Sequence, residues 1–532
     1  MALTNTGPPV ASYAEYTTLT RWIVLIAVML GTVLEVLDTS IVNVAIPDMM
    51  GNLGATLDQI SWVSTGYIIA NVIVLPLTGW LSTFFGRRRY LAGSMILFTI
   101  ASFCCGTAHS LNALVFYRIL QGAGGAALLS TAQATIMEIF PPAQLGLVQA
   151  VFGIGVMVGP TVGPTLGGWI TDNYTWPWIF FINVPIGILA IILTLLFMHD
   201  SKFQRHAASR FDAVGIGFLA IGLSCLQTVL EKGNREGWLE SNLICWLIFF
   251  SVTTLTAFVV WELHVEHPAV NLRVLKDRSF AAGVTMQMAV GLGLYGGVFL
   301  LPVYLQQLRN YTAAQTGWIL LPGGLATGFM MPLLSRVVLR IPARYLVFIG
   351  SVLFITSMMM LHTITMDTGT GDLLLPLIIR GVSFAFLFMP LAVATLSLLK
   401  GRAIAEGTGL FNLARQLGGS AGIAILSTYL TTQTAQHRAV LVEHVNSFNP
   451  LAQMRLNAYQ QMFMAKGAGT VIAHQQAYSL LDTVVNGQSF LLAFQDAFFM
   501  IGLIFAAMMP LIFLLRKTAV GITGQIASEV EE

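Results

Sequence analysis

The amino-acid sequence predicts an all-α polytopic membrane protein, with fourteen transmembrane helices arranged as two pseudo-symmetric six-helix bundles plus an inserted helix pair. Three observations predict it. Charged residues occupy only 9% of the 532 positions and apolar residues 56%, whereas an ordinary soluble domain carries about 25% charged residues. Lipid rather than water must therefore solvate most of the surface. Apolar runs of the roughly 20 residues needed to cross the hydrocarbon layer recur along the whole chain. Finally, lysine and arginine alternate between rich and poor loops.

The first run spans about 21–46 and the last about 490–515. Within lipid each segment must be helical, because no solvent is there to satisfy a less regular backbone. Residues 1–20 hold no lysine or arginine and the first run is too long for a cleaved leader, so it reads as a retained span. Residues 1–198 form the first bundle, 199–278 a linker with two extra spans at about 211–231 and 241–262, and 279–515 the second bundle. Residues 516–532 form a short tail. With a cytoplasmic N-terminus, 17 of the 26 basic residues fall in inside loops, from Arg21, Arg87, Arg88 and Arg89 through Lys202, Arg205 and Arg210 to Lys400, Arg516 and Lys517. Six fall outside: Lys232, Arg235, Arg309, Arg438, Arg455 and Lys466. This bias predicts that both termini are cytoplasmic and that the number of spans is even. The one long outer loop, 431–489, is polar and glutamine-rich, with helical composition at 451–466. It reads either as a solvated cover or as a docking surface.

Helix one carries two acids, Glu35 and Asp38. Each acid near a helix centre costs roughly 2.5–3.5 kcal/mol on insertion scales, while each Leu, Ile or Val returns about 0.3–0.6. The pair must therefore face the protein interior or a wet cavity. Thr32, Glu35, Asp38 and Thr39 share one stripe at the helical period. At about 1.5 Å per residue, Asp38 lies roughly 12 Å and Arg118 of helix four roughly 9 Å below the outer helix ends, so an Asp38–Arg118 pair is expected. Glu35 sits deeper, with no obvious cation. Glu35, Asp38 and Arg118 are the proton-coupling candidates, because a carboxylate that changes protonation with access is what proton coupling requires. A structural ion pair locking helices one and four is the competing reading. Thr32, Thr39, Asn43, Gln121, Gln133, Arg380, Asn412, Arg415 and Gln416 are the candidates for lining a substrate cavity. Arg380 and Arg415 each lie about 12 Å inside a helix end, where they could bind an anionic group or pair with neighbours such as Asn412 and Gln416.

Helix five contains Gly155, Gly159, Pro160, Gly163, Pro164, Gly167 and Gly168. Proline removes a backbone bond and kinks a helix, and glycines four apart let another backbone approach closely. The pattern predicts a tight helix pair and a hinge where the halves seal. An internal repeat adds to this. The segment from Gly79 through Gly86, Arg87 and Arg88 has a weaker echo at 332–345, and Arg118 with Gly122 is echoed by Arg380 with Gly381. Such repeats underlie transporters that rock two halves about a central site.

Taken together these segments resemble the major facilitator superfamily, and most closely its fourteen-helix drug/proton antiporter group of EmrB-type pumps. The matching runs are LDTSIVNVAIP at 37–47, GWLSTFFGRRR at 79–89, RILQG at 118–122, GPTVGPTLGG at 159–168, DNYTWPWIFFINVP at 172–185 and NLARQLGGS at 412–420. One departure is that the loop two–three signature usually carries an acid four residues after its first glycine, where this chain has Thr83. The resemblance implies proton-driven export of hydrophobic or amphipathic small molecules across a bacterial inner membrane. It also implies a periplasmic membrane-fusion adaptor and an outer-membrane channel as partners, with no cofactor beyond the proton gradient.

A dedicated exporter of a metabolite such as a fatty acid or siderophore is the nearest rival, and a membrane enzyme or lipid-handling protein the rival of another class. Against the latter stand scattered histidines, no Ser/His/Asp-like cluster and no metal-ligand set. The four cysteines lie in apolar runs without ligand spacing. No G-x-x-x-x-G-K-[ST] run suggests nucleotide-driven pumping, and no basic patch suggests nucleic acid.

Overall fold

The computed structural model describes residues 16–199, 212–266, 268–338, 340–397, 399, 402–446 and 448–516. The basic residues Lys202, Arg205, Arg210, Lys400 and Lys517 lie outside them, as does most of the tail. The first bundle consists of α1 (Thr18–Leu53), α2 (Trp62–Phe85), α3 (Arg87–Gly106), α4 (Leu111–Ile139), α5 (Pro142–Asn173) and α6 (Trp178–Phe197). The inserted pair is α7 (Ala213–Lys232) and α8 (Asn242–His264). The second bundle follows as α9 (Arg278–Val303), α10 (Ala313–Val337), α11 (Ala343–His362), α12 (Thr370–Leu396), α13 (Arg402–Glu443) and, after α14 (Pro450–Ala465), α15 (Thr470–Met508).

Side chains at the helix starts satisfy amide groups that would otherwise be orphaned. Thr17 caps α1 at Thr20, Ser110 caps α4 at Ala113, and Asp277 caps α9 at Ser279 and Phe280. Gly86, with φ of +84°, makes the turn from α2 into α3 in a backbone region that side chains disfavour.

Among the described residues thirteen helices are long and apolar enough to cross a membrane, and the chain is a multi-pass membrane protein. The fourteenth crossing is α13, whose apolar character is diluted by Asn412, Arg415, Gln416 and Ser420. Its position identifies it, since it packs on α9, α2, α4 and α15 inside the bundle. It then continues to Glu443, and α15 begins at Thr470, so the outer segment expected as a loop is a helical projection. Leu456 of α14 and Ala477 and Leu481 of α15 form a small core of its own.

The repeat expected from sequence is present in the packing. Within the first bundle α1 packs on α5, α2 on α4, and α3 on α4 and α6. In the second, α9 packs on α13, α10 on α12, and α11 on α12 and α15. The two halves meet through α2 with α13 and through α5 with α10, which is the same contact made twice. Close approach is possible there because of small residues. A Cβ on Gly79 would lie 2.8 Å from the Glu406 backbone, and one on Gly146 would lie 2.7 Å from the Ser335 carbonyl oxygen.

The inserted pair joins the halves from outside. Leu219 and Leu223 of α7 pack in one cluster with Val72 and Leu75 of α2 and Leu413 of α13. Gln227 donates to Ser420 Oγ of α13 at 3.0 Å, and Thr65 of α2 donates to Glu231. By contrast α8 exposes Trp246, Phe249 and Phe250, a lipid-facing surface.

The glycines of α5 face α1. A Cβ on Gly159 would lie 3.0 Å from the Val36 carbonyl carbon, and one on Gly167 would lie 2.9 Å from the Ile41 carbonyl oxygen. Gly163 abuts Ser40, whose Oγ donates to the Gly159 carbonyl at 3.0 Å. The stripe therefore packs within its own bundle. A different face of α5 meets the other half, where Gly153 abuts Met331 and Thr165 abuts Gly317. Pro164 lies inside the continuous helix, as does Pro160, and Gly168 accepts from Thr171 Oγ1 at 3.1 Å.

Candidate functional site

The membrane interior of the first bundle holds a closed polar cluster around Asp38. Asp38 is fully buried and Arg118 is 1% exposed. Arg118 Nη1 donates to Asp38 Oδ2 at 2.5 Å, so the pairing expected from helix depth is present. The other carboxylate oxygen accepts from Gln121 Nε2 at 2.9 Å and Asn183 Nδ2 at 3.1 Å. Both amides also reach Ser102 Oγ, which in turn donates to the Phe180 carbonyl at 2.9 Å. Arg118 is held from three further directions. Its Nε donates to the Val63 carbonyl at 3.0 Å, its Nη1 to Gln121 Oε1 at 2.7 Å, and its guanidinium lies 4.2 Å from the Tyr67 ring centroid.

A buried pair is tolerable only when its remaining hydrogen-bonding capacity is met, and here five helices, α1, α2, α3, α4 and α6, combine to meet it. The close crossing of α2 and α4 makes this possible. A Cβ on Gly122 would lie 2.2 Å from the Tyr67 carbonyl oxygen.

Glu35, one turn away, has a looser environment. It is 5% exposed, accepts from Asn71 Nδ2 at 3.4 Å, and leaves Oε2 without a protein partner. Tyr67 Oη beside it is likewise unpartnered. Gly125 provides the room, since a Cβ there would lie 2.7 Å from Tyr67 Oη and 3.4 Å from Glu35 Cγ. The opposite charge acting on Glu35 comes from Arg415 in the other half. Arg415 is 2% exposed and approaches Tyr295 Oη at 3.5 Å, a neighbour other than the Asn412 and Gln416 that the sequence offered as one alternative. Asn412 turns instead to the first half and donates to Gln133 Oε1 at 2.8 Å. Gln416 is half-buried. Unpartnered polar atoms on Glu35, Tyr67, Asn71, Gln133 and Arg415 thus collect where the halves face each other, a polar interior suited to water or a ligand.

The other expected lining residues divide. Thr32 is buried and donates to its own helix at the Val28 carbonyl, and Thr39 likewise to the Val36 carbonyl. Asn43 is exposed and accepts from Ser64 at 3.2 Å. Arg380 lies apart, in the second bundle.

At the other end of the first bundle, Thr83 donates to the Gly79 carbonyl of its own helix at 2.9 Å. The charge partner of the loop is Glu138 at the end of α4, which pairs with the buried Arg87, while Arg88 donates to the Leu195 carbonyl. Sequence reasoning missed Glu138, Ser102, Tyr67, Asn71, Tyr295 and the Gln227–Glu231 pair. Glu138 and Glu231 could have been found by counting acids at span ends, and Tyr67 with Asn71 by their four-residue spacing on α2.

Residues 28–423 match the family description "Major Facilitator Superfamily". Among curated proteins, the chain is 36% identical over 491 residues to the multidrug export protein EmrB of Escherichia coli (strain K12), covering 92% of this chain and 94% of that one. It is 33% identical over 498 residues to the fatty acid resistance protein FarB of Neisseria gonorrhoeae, covering 93% and 96%. Among solved structures, the human organic anion transporter MFSD10 superposes with a TM-score of 0.59 at 13% identity, covering 92% of this chain and 99% of that one. The proton:xylose symporter XylE superposes at 0.54 with 14% identity, covering 92% and 96%. At such identities these two speak for the fold alone. The repeat, the intramembrane Asp38–Arg118 cluster and these similarities lead to one conclusion: this chain is a transporter, not an enzyme, and belongs to the major facilitator superfamily on its EmrB-type multidrug-export branch.

Proposed function

We propose that this chain exports amphipathic and toxic compounds across the bacterial inner membrane in exchange for protons, by alternating access. The observation that carries the reading is the contrast between the two acids of α1. Asp38 is held by Arg118, Gln121 and Asn183, whereas Glu35, one turn away, keeps a free oxygen and faces Arg415 across the interface between the halves. Rocking of the halves changes what surrounds Glu35, and a proton taken up there relieves an acid left without its cation. Asp38 and Arg118 then transmit the change to α2, α4 and α6, which they bind together. Glu35, Asp38 and Arg118 form the coupling set. Gln133, Asn412, Arg415 and Gln416 line the path at the interface, and Gly79, Gly146 and the α5 stripe set how closely the helices approach.

The bias of basic residues towards one set of loops supports a cytoplasmic location for both termini. On that orientation the projection of α13, α14 and α15 stands in the periplasm, where exposed Phe448, Leu451 and Met454 suit a membrane-fusion adaptor leading to an outer-membrane channel. Dye efflux from everted vesicles, with and without an imposed pH gradient, tests the proposal. Wild type should respond to the gradient, and Asp38→Asn and Glu35→Gln should not. Full gradient-driven efflux by both variants would overturn it.

A further inference from the structure

The inserted pair carries a groove on its outer side. Phe218 of α7 forms one wall, and Val252, Thr256, Val260, Trp261 and His264 of α8 form the other, around a space of about 790 Å³. Val252 and Val260 are more than half exposed, so the wall is apolar and open to the surroundings. The stretch of α8 from Val252 to His264 rises about 18 Å. One leaflet of hydrocarbon, half of a core about 30 Å thick, is roughly 15 Å deep. The groove thus has the length of one acyl chain in one leaflet.

One end of the groove is polar. Trp261 Nε1 donates to Asp212 Oδ1 at the start of α7 at 3.0 Å, and a tryptophan with one apolar and one wet side belongs at head-group level. His264 on the next turn is exposed, with Nδ1 engaged by the Val260 carbonyl at 2.7 Å. The chain then turns back, and Arg273 comes to rest against the end of α8. Its Nη2 donates to the Leu263 carbonyl at 3.2 Å and the Val265 carbonyl at 3.1 Å, on either side of His264. Capping the helix in this way is one use for a C-terminal arginine, but it occupies one nitrogen of three. Nε and Nη1 make no hydrogen bond among the described residues, and Arg273 is exposed. Lys276 and Arg278 follow, also exposed. Glu266 is an exposed acid on the same stretch, whereas Asp277 is engaged by Arg516 at 2.9 Å.

We infer that this groove is a binding site for an anionic phospholipid. One acyl chain lies along α8 between Phe218 and Val252, and the phosphodiester is bound by the free donors of Arg273 beside His264. The planar fork of arginine matches two phosphate oxygens, and basic pockets between transmembrane helices take acidic head groups. The ligand needs no entry path, because lipid already surrounds α8. Copies of one chain share an orientation in the membrane, so a second copy seated here would set Arg273 and Lys276 against their own counterparts. A lipid anion opposes no charge but Glu266. The inference stands apart from the export reading and needs no proton coupling.

Native mass spectrometry of the full chain, released from micelles that hold equal amounts of dioleoylphosphatidylglycerol and dioleoylphosphatidylcholine, tests it. Wild type should retain one phosphatidylglycerol about fivefold more tightly than the zwitterionic lipid, the ratio that one arginine supplies near a charged surface. Arg273→Gln should erase that preference, and Arg273→Lys should keep part of it. Thr256→Trp fills the groove and leaves the cations in place, so it should weaken retention of both lipids. Equal retention of the two lipids by wild type overturns the inference without recourse to any variant. So does an unchanged preference in Arg273→Gln, or undiminished retention in Thr256→Trp. Displacement of the lipid by inorganic phosphate would make the site one for the free anion, and a dimer that excludes lipid would make the groove an interface between copies. Either result also overturns it.

Discussion

Replacing Asp38 by asparagine keeps the shape of the cluster and removes one charge, which isolates the electrostatic role of the pair. The side-chain oxygen can still accept from Gln121 or Asn183, which approach within 2.9 and 3.1 Å. Arg118, 1% exposed, loses its only counter-ion in the cluster. Breaking one side of a buried pair costs about 3–5 kcal/mol. The bonds from Arg118 to the Val63 carbonyl and Gln121, and its contact with the Tyr67 ring, remain, so the low end applies: about 3 kcal/mol, or a factor of roughly 150 in the folding equilibrium. In the double variant Asp38→Asn/Arg118→Gln no uncompensated charge is left. Only hydrogen bonds of about 1 kcal/mol each are then lost, and roughly 2 kcal/mol should return. Unfolding of purified protein in mixed micelles, followed by tryptophan fluorescence, measures both numbers. An Asp38→Asn variant within about 0.5 kcal/mol of wild type, the scale of an ordinary surface change, would refute the reasoning. So would a double variant no more stable than the single. Transport by the same variants separates a lock from a coupling element. If the double variant regained gradient-driven efflux as well as stability, the pair would only hold the helices together.

Two further outcomes follow from the contacts between the halves. Gly79→Ala places a Cβ 2.8 Å from the Glu406 backbone, which cannot rotate away as a side chain could. Overpacking of this kind costs about 1–3 kcal/mol, and the strain falls on the α2–α13 contact. Cysteines introduced on that face should label faster and efflux should fall, and unchanged labelling would show that the contact yields freely. Gln133→Leu removes the bond from Asn412 across the interface while leaving Asn412 its bond to the Thr408 carbonyl at 3.0 Å. The cost is about 1 kcal/mol, enough to shift the balance between conformations about fivefold. Site-directed fluorescence between α4 and α13 reads that shift, and no change would mean that the bond adds nothing to the closed arrangement.

The Asp38–Arg118 pair was legible from sequence because lipid leaves a charge so few options: two opposite charges at similar depth on neighbouring helices have little choice but to meet. The same argument could not locate the partners of Gln121 and Asn183, since an amide at membrane depth is satisfied equally well by a hydroxyl such as Ser102 or by a carbonyl. It also left Arg415 open between an anionic ligand and neighbours on its own helix. The actual approach, to Tyr295 on α9, depends on Gly291, where a Cβ would lie 2.1 Å from the Arg415 carbonyl oxygen, and on Gly419, where one would lie 2.3 Å from the Tyr295 ring. Helix-to-helix distance is set by such glycines, and spacing along one chain does not reveal which glycine faces which helix. The outer projection was hidden for a different reason. Beyond the membrane, α13 and α15 continue on mixed polar residues, with a narrow buried face marked by Leu456, Ala477 and Leu481.

Helix α7 belongs to neither half of the repeat, yet it touches both. Gln227 grips Ser420 on one side of the seam and Glu231 meets Thr65 on the other, with Leu219 and Leu223 filling the gap between. If transport parts α2 from α13, α7 cannot keep both sets of contacts, because those with Ser420 and Leu413 lie on one side of the seam and those with Thr65, Val72 and Leu75 on the other. The seam it covers would otherwise open sideways to acyl chains. An inserted helix so placed ties the closure of this seam to the contact between the halves.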